Sequence, residues 1–303
     1  MTMTPDQLLD RKRLKSRIIQ WRLVAVLALL AVVLVALGEK RMGGVIDKSY
    51  VARLSVYDVM VDDPVRDDLV KQILEDNHAK AAIIWMDSPG GTSVAGEELY
   101  HQLRTLATQK PVIVVMRTVC ASGCYMAALG ADYMIARETT LTGSVGVILE
   151  SFEISRLADK LGITPETVKS GRMKDVPSLT RPMTAAERAE IQKTVDDTYS
   201  FFVTLLADRR KFSQKKALEL AEGRIYSGRQ AYEEKLIDGL GGEAEARAWL
   251  QDKHKISTRL EIRDIEPEPE FESFLEKLEQ LTFALFRGAL TVPLDGVVSI
   301  WHP

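Results

Sequence analysis

The chain has 303 residues, enough for one large domain or two modest ones with a well-buried core. Hydrophobic residues make up 46% and charged residues 27%, as in ordinary folded proteins, and a net charge of -3 gives no sign of nucleic-acid binding. There are only two cysteines, Cys120 and Cys124, close together, and no disulfide framework or Cys-rich zinc site can be built from them. His78, His101, His254 and His302 are scattered without ligand spacing, so no metal and no other cofactor is expected.

The charge is unevenly placed. Residues 1–22 carry Arg11, Lys12, Arg13, Lys15, Arg17 and Arg22 against Asp6 and Asp10, and the rest of the chain is acidic. The basic cluster precedes Leu23–Gly38 (LVAVLALLAVVLVALG), an uncharged run that as a helix spans about 24 Å. Extension through Ile18, Ile19 and Trp21, with Arg22 snorkelling, lengthens it to bilayer thickness. The expectation is an uncleaved transmembrane anchor in the inner (cytoplasmic) membrane, with the basic tail in the cytoplasm and everything after residue 40 on the periplasmic or extracytoplasmic side. A cleaved signal ending near Ala36-Leu37-Gly38 is the competing reading, and a buried core helix a third.

After the anchor, Tyr50–Val56 reads as a first strand and Pro64–His78 as an amphipathic helix. Ala81–Met86 is a continuous apolar run, as a buried parallel strand would be, and Ser88-Pro89-Gly90-Gly91 is a sharp turn. Residues 94–108 suit a helix, Pro111–Met116 a second buried strand, 122–130 a small-residue helix and Tyr133–Ala136 a short strand. This alternation argues for a parallel α/β core. From Thr184 to about Asp252 the pattern is mainly helical, opening on the capping box Thr184–Glu187. Ile265–Glu270 (IEPEPE) reads as an acidic linker, and Phe271, Phe274, Leu275, Leu278 and Leu281 recur at helical spacing beyond it. The expected divisions are therefore a tail and anchor (1–45), a folded domain (46–264), and a linker with an amphipathic C-terminal helix (265–303). No internal repeat is visible.

Three segments could carry chemistry. Asp87–Gly91 follows a buried strand, where open α/β folds place their sites, and its glycines let backbone N–H groups approach an oxyanion. Taken alone it reads first as a plain β-to-α turn. Cys120–Ala127 also follows a strand and opens a helix, which exposes Ser122 at a turn; the alternative is an ordinary serine N-cap. Lys169–Asp175 supplies lysines. No histidine lies near these motifs, and a lysine serves as base for a serine when its environment leaves it neutral. Any single lysine is otherwise a solvated surface residue.

The strings IIWMDSPGG, ASGCYMAALGADYMIA, LTGSVGVI, VKSGRMKD, RPMTAAER and GRIYSGRQAYEEKLIDGLGG occur in this order. Together they resemble the bacterial signal peptide peptidase A family, over roughly residues 50–250. The resemblance implies an α/β, Clp-protease/crotonase-like fold, a parallel sheet flanked by helices. It implies a serine endopeptidase with Ser122 as nucleophile and Lys174 as general base, Lys169 being the nearby rival. Ser144 would orient the lysine, and Gly91 and Gly123 would supply the oxyanion-hole N–H groups. Substrates would be apolar peptides such as cleaved signal peptides.

This chain departs from that pattern in two respects. Cys120 and Cys124 stand where the family has Ala and Gly; they are either small buried residues or a disulfide across the nucleophile. The chain is also about half the length of the two-domain family forms. In single-domain forms serine and lysine can come from neighbouring subunits, which would make a ring-shaped homo-oligomer part of the site. Two other functions compete: a crotonase-type acyl-CoA enzyme using Glu97 or Glu98, and a catalytically inactive membrane scaffold.

Overall fold

The computed structural model describes residues 49–267 and, ahead of them, residues 21, 22, 24–26 and 28, which are helical. No helix among the described residues is long and apolar enough to cross a membrane. The expected anchor at Leu23–Gly38 falls mostly outside the described residues, and the expected C-terminal helix falls wholly outside them.

The first half of the domain alternates strand and helix. Strand β1 (Tyr50–Tyr57) leads to helix α1 (Pro64–Glu75), then β2 (Ala79–Ser88), α2 (Ser93–Ala107), β3 (Val112–Ala121), α3 (Gly123–Ala128), β4 (Tyr133–Ala136) and β5 (Leu141–Gly143). A largely exposed segment with one short helix, α4 (Ser155–Lys160), follows. The domain closes with α5 (Ala185–Arg210), α6 (Gln214–Leu220), β6 (Ile225–Ser227), α7 (Gly228–Glu233), β7 (Gly239–Leu240), α8 (Glu243–His254) and β8 (Ile262–Asp264).

Local chemistry explains the boundaries. Asp63 caps α1 by accepting the Val65 and Arg66 N–H groups, with Pro64 at the first helical position. The helix stops at Glu75, not His78, because the Lys110 ammonium takes the Ile73 and Asp76 carbonyls and the chain turns at once into β2. The capping box at Thr184–Glu187 forms as expected and starts the 26-residue α5.

The strands form one sheet in the order β6-β5-β3-β2-β1-β8, with β4 also on β3 and β7 on β4. Every pairing is parallel except β5 with β6, so the expected wholly parallel sheet is a mixed one. The short strands β5 to β8 carry too few residues for any apolar period to announce them. Side chains alternate between two buried faces, as a period of two requires. Ala52, Leu54, Ile84, Met86, Val114 and Met116 join the main core with α2, α3 and α5; Val51, Ile83, Ile113, Val115 and Ile135 meet Ala246 and Leu250 of α8. Each fully buried isoleucine contributes about 1.5–3 kcal/mol.

One feature of β3 positions the site. Its first half, Ile113–Met116, pairs with β4, and its last three residues, Val119–Ala121, pair with β5. Between them β3 bulges: Met86 faces Met116 but Ser88 faces Cys120. Asp87 satisfies the bulge, accepting from the Val119 N–H at 3.0 Å and the Thr118 hydroxyl at 3.0 Å. The strand expected to stop at Met116 thus runs on to Ala121 and delivers Ser122 beside β5.

Candidate active site

Ser122 sits between β3 and α3 with φ 55° and ψ -124°, a backbone conformation costly for a residue with a Cβ. Its N–H donates to the Gly143 carbonyl at 2.9 Å, and its carbonyl accepts from Met126 at 2.9 Å. The half-buried side chain makes no capping bond, so the N-cap explanation for this serine is absent. The hydroxyl has no hydrogen-bond partner among the described residues.

Several contacts fix this turn. Thr142, fully buried, donates its hydroxyl to the Cys120 carbonyl at 2.7 Å. Buried Tyr125 donates to the Leu236 carbonyl at 2.7 Å, and Arg209 takes the Leu129 and Ala131 carbonyls just past α3. Cys120 and Cys124, both fully buried, form a disulfide that brackets Ser122, with Cα atoms 5.2 Å apart.

The Gly90-Gly91 turn lies directly against Ser122. A Cβ on Gly90, whose φ is 110°, would stand 2.8 Å from the Ser122 Cβ and 3.0 Å from the Gly123 nitrogen. A Cβ on Gly123 would lie 3.3 Å from the Gly91 nitrogen. Met60 ties the turn down from the other side: its N–H donates to the Gly90 carbonyl at 2.8 Å and its carbonyl accepts from Thr92 at 2.9 Å. The Gly91 and Gly123 N–H groups have no partner among the described residues. Two free donors beside an uncommitted hydroxyl can stabilise an oxyanion formed by attack of that hydroxyl on a carbonyl.

Ser144 follows Gly143, which pairs with Ala121, and therefore lies next to the same turn. Its φ is 50° and its N–H donates to the Arg224 carbonyl at 2.7 Å. The structure thus brings together Gly91, Ser122, Gly123 and Ser144.

Lys174 is exposed on the segment that follows β5, and its ammonium has no hydrogen-bond or ion-pair partner, Ser122 and Ser144 included, among the described residues. Lys169 differs: it is ion-paired with Asp175 at 2.5 Å and also reaches the Arg172 carbonyl. Asp175 is shared with Arg181 (3.0 Å), which also binds Glu187 at 2.8 Å. Arg181 first, and Lys169 second, hold the Asp175 carboxyl far below the usual range. Arg181, together with the Thr184 N–H, lowers Glu187 to about 2. This hub braces a segment whose apolar side chains are left outside: Ile148 is 87% exposed, Phe152 72% and Val168 96%.

Glu97 and Glu98 directly follow Gly96, which faces Gly123, and their carboxylates are engaged along α2 itself. Glu97 is 3.9 Å from His101, and Glu98 accepts from Gln102. Neither carboxylate joins the Ser122 turn, which removes the support for a crotonase-type acid. A cleft of about 490 Å³ beside β1, lined by Leu54, Tyr57, Met60, Val61, Arg66 and Trp85 among others, contains none of the expected site residues. Sequence reasoning missed Ser88, Met60 and Thr142 as neighbours of the site. Only Ser88 had a signal, its place at the head of the Pro-Gly-Gly turn.

This is an α/β domain built around a strained serine turn with two free N–H donors. Residues 104–257 match the model of peptidase family S49, and the chain belongs to that family. A relative from Methanocaldococcus jannaschii, named as a candidate protease, is 36% identical over 190 residues, 63% of this chain and 61% of that one. The chloroplastic serine protease SPPA of Arabidopsis thaliana is 33% identical over 198 residues, 65% of this chain and 29% of that protein. A protein from Enterococcus faecium, named as a candidate signal peptide peptidase SppA, is 31% identical over 234 residues, 77% of this chain and 67% of that one. The matched stretch thus spans under two thirds of the first two relatives' length.

Proposed function

We propose that this protein is a membrane-anchored serine endopeptidase that cuts apolar peptides, cleaved signal peptides among them. Ser122 is the nucleophile, Lys174 the general base, Ser144 the residue that orients the lysine, and Gly91 and Gly123 the oxyanion donors. The observation that carries this reading is the strained Ser122 backbone, which holds an uncapped hydroxyl beside two unpartnered N–H groups.

Neutral Lys174 takes the Ser122 proton as the oxygen attacks the scissile carbonyl. The Gly91 and Gly123 N–H groups bind the oxyanion, an interaction in which one donor is worth about 3–4 kcal/mol. The protonated lysine gives its proton to the leaving amine, and water activated by the same lysine releases the acyl group. Membership of family S49 supports peptide-bond hydrolysis.

Lys174 is exposed and has no partner among the described residues, and the segment that carries it exposes Ile148, Phe152 and Val168. Both features favour a homo-oligomeric ring in which Lys174 serves the Ser122 of a neighbouring copy. Burial of that segment against the neighbour would desolvate the amine, which favours its neutral form. The apolar run Leu23–Gly38 would anchor the chain in the cytoplasmic membrane, with the catalytic domain on the outer side. The family's Clp-protease/crotonase-like fold accords with the mixed sheet and with a site at the carboxyl ends of β2 and β3.

A fluorophosphonate probe on the full chain in detergent tests the assignment. The predicted outcome is one adduct, mapped by mass spectrometry to Ser122 and absent from Ser122→Ala. An adduct elsewhere, or none on the folded oligomer, contradicts it.

A further inference from the structure

The two glycines that let the Gly90-Gly91 turn approach Ser122 leave that turn poorly determined. Glycine adopts both signs of φ readily, so the peptide between them could rotate and exchange the directions of its carbonyl and N–H. A rotated peptide would aim the Gly90 carbonyl, instead of the Gly91 N–H, at the developing oxyanion. Something outside the glycines must choose between the two.

Ser88, the last residue of β2, is fully buried. Its hydroxyl accepts the Gly90 N–H at 3.1 Å and donates to the Gly90 carbonyl at 3.2 Å. The Met60 N–H donates to the same carbonyl at 2.8 Å. In a trans peptide the carbonyl and the following N–H point in opposite directions. A Gly90 carbonyl held by Ser88 and Met60 therefore sends the Gly91 N–H away from them, and the Gly91 nitrogen lies next to Gly123.

We propose that Ser88 is a positioning residue that fixes the Gly90–Gly91 peptide so that the Gly91 N–H faces the oxyanion. The inference rests on the reading of Ser122 as nucleophile and Gly91 as oxyanion donor. Ser88 does not touch the reacting atoms; it acts through the peptide it holds. Met60 contributes through its backbone, which leaves Ser88 as the side chain whose replacement releases the lock.

The test compares the full-length parent, Ser88→Ala and the near-isosteric Ser88→Cys in detergent. Hydrolysis of a fluorogenic apolar peptide gives kcat and KM, and a peptide boronic acid, which forms a tetrahedral adduct with the nucleophile, gives a transition-state-like affinity. Ser88→Ala is expected to lose about 10- to 100-fold in kcat, with KM within about twofold and boronate affinity reduced in step with kcat/KM. Ser88→Cys, whose thiol bonds weakly, is expected to fall between the two and stands in for Ser88→Ala should the latter fail to fold. A purely structural role would leave kcat per folded molecule unchanged. Parental kcat in folded Ser88→Ala, or in Ser88→Cys, overturns the positioning role while the nucleophile reading survives. A folded parent that neither hydrolyses peptide nor binds boronate overturns the nucleophile reading itself.

Discussion

Gly96 of α2 and Gly123 of α3 meet backbone to backbone: a Cβ on Gly96 would stand 2.8 Å from the Gly123 carbonyl oxygen. The helix that begins just after Gly91 is thereby docked on the helix that begins just after Ser122. This contact sets the spacing between the two proposed oxyanion donors. Gly96→Ala must push the helices apart. We predict a stability loss of about 1–3 kcal/mol by denaturant unfolding, and a fall in kcat larger than that loss explains, because the Gly91 and Gly123 N–H groups separate.

The Arg181 hub predicts a response to acid. Both carboxyls it binds, Asp175 and Glu187, have folded pKa values below their unfolded values. Their contribution is therefore present above the unfolded carboxylate range near pH 4 and is lost as pH falls through the folded values. For Glu187 that window runs down to about 2. Hydrogen exchange of residues 170–190 should speed up relative to β1–β3 as pH drops from about 4.5 toward 2. Arg181→Met should show the fast exchange already at neutral pH.

The disulfide closes a short loop, with a sequence separation of 4. Such a closure is worth about 2 kcal/mol in the chain-entropy account. The denatured, unreduced chain should take up no iodoacetamide at Cys120 or Cys124. The Cys120→Ala/Cys124→Ala variant should unfold at lower denaturant by about that amount. Uptake of two labels without reductant would show the thiols to be free.

The legible parts of the fold were those with a strong local signal. Ala81–Met86 and Pro111–Met116 announced themselves as buried strands, and Thr184–Glu187 as a helix start. The extension of β3 to Ala121 was hidden because it depends on Asp87 satisfying a bulge from the neighbouring strand, a contact between residues 32 apart in the chain. The antiparallel β5–β6 pair was hidden because three-residue strands carry no period. In the site, Ser122 and its glycines were legible as motif residues. Ser88 was legible only as the head of its turn, since its role lies in a peptide plane, and the exposure of Lys174 was not legible, since sequence does not say which residues one chain leaves uncovered.

If Lys174 serves the Ser122 of a neighbouring copy, two inactive variants should complement each other. Co-expressed Ser122→Ala and Lys174→Ala chains, assembled at random around a head-to-tail ring, give about a quarter of parental activity per site. Mixed assemblies with no activity would place both residues within one chain.

The most direct test of the central claim is hydrolysis of a fluorogenic apolar peptide by the parent, Ser122→Ala, Lys174→Ala and Lys169→Ala, each as the full chain in detergent. The first two variants should lose activity by about 10⁴-fold or more, while Lys169→Ala, whose ammonium is already engaged by Asp175, should stay active. Full activity in Ser122→Ala, or an active Lys174→Ala beside an inactive Lys169→Ala, would contradict that claim.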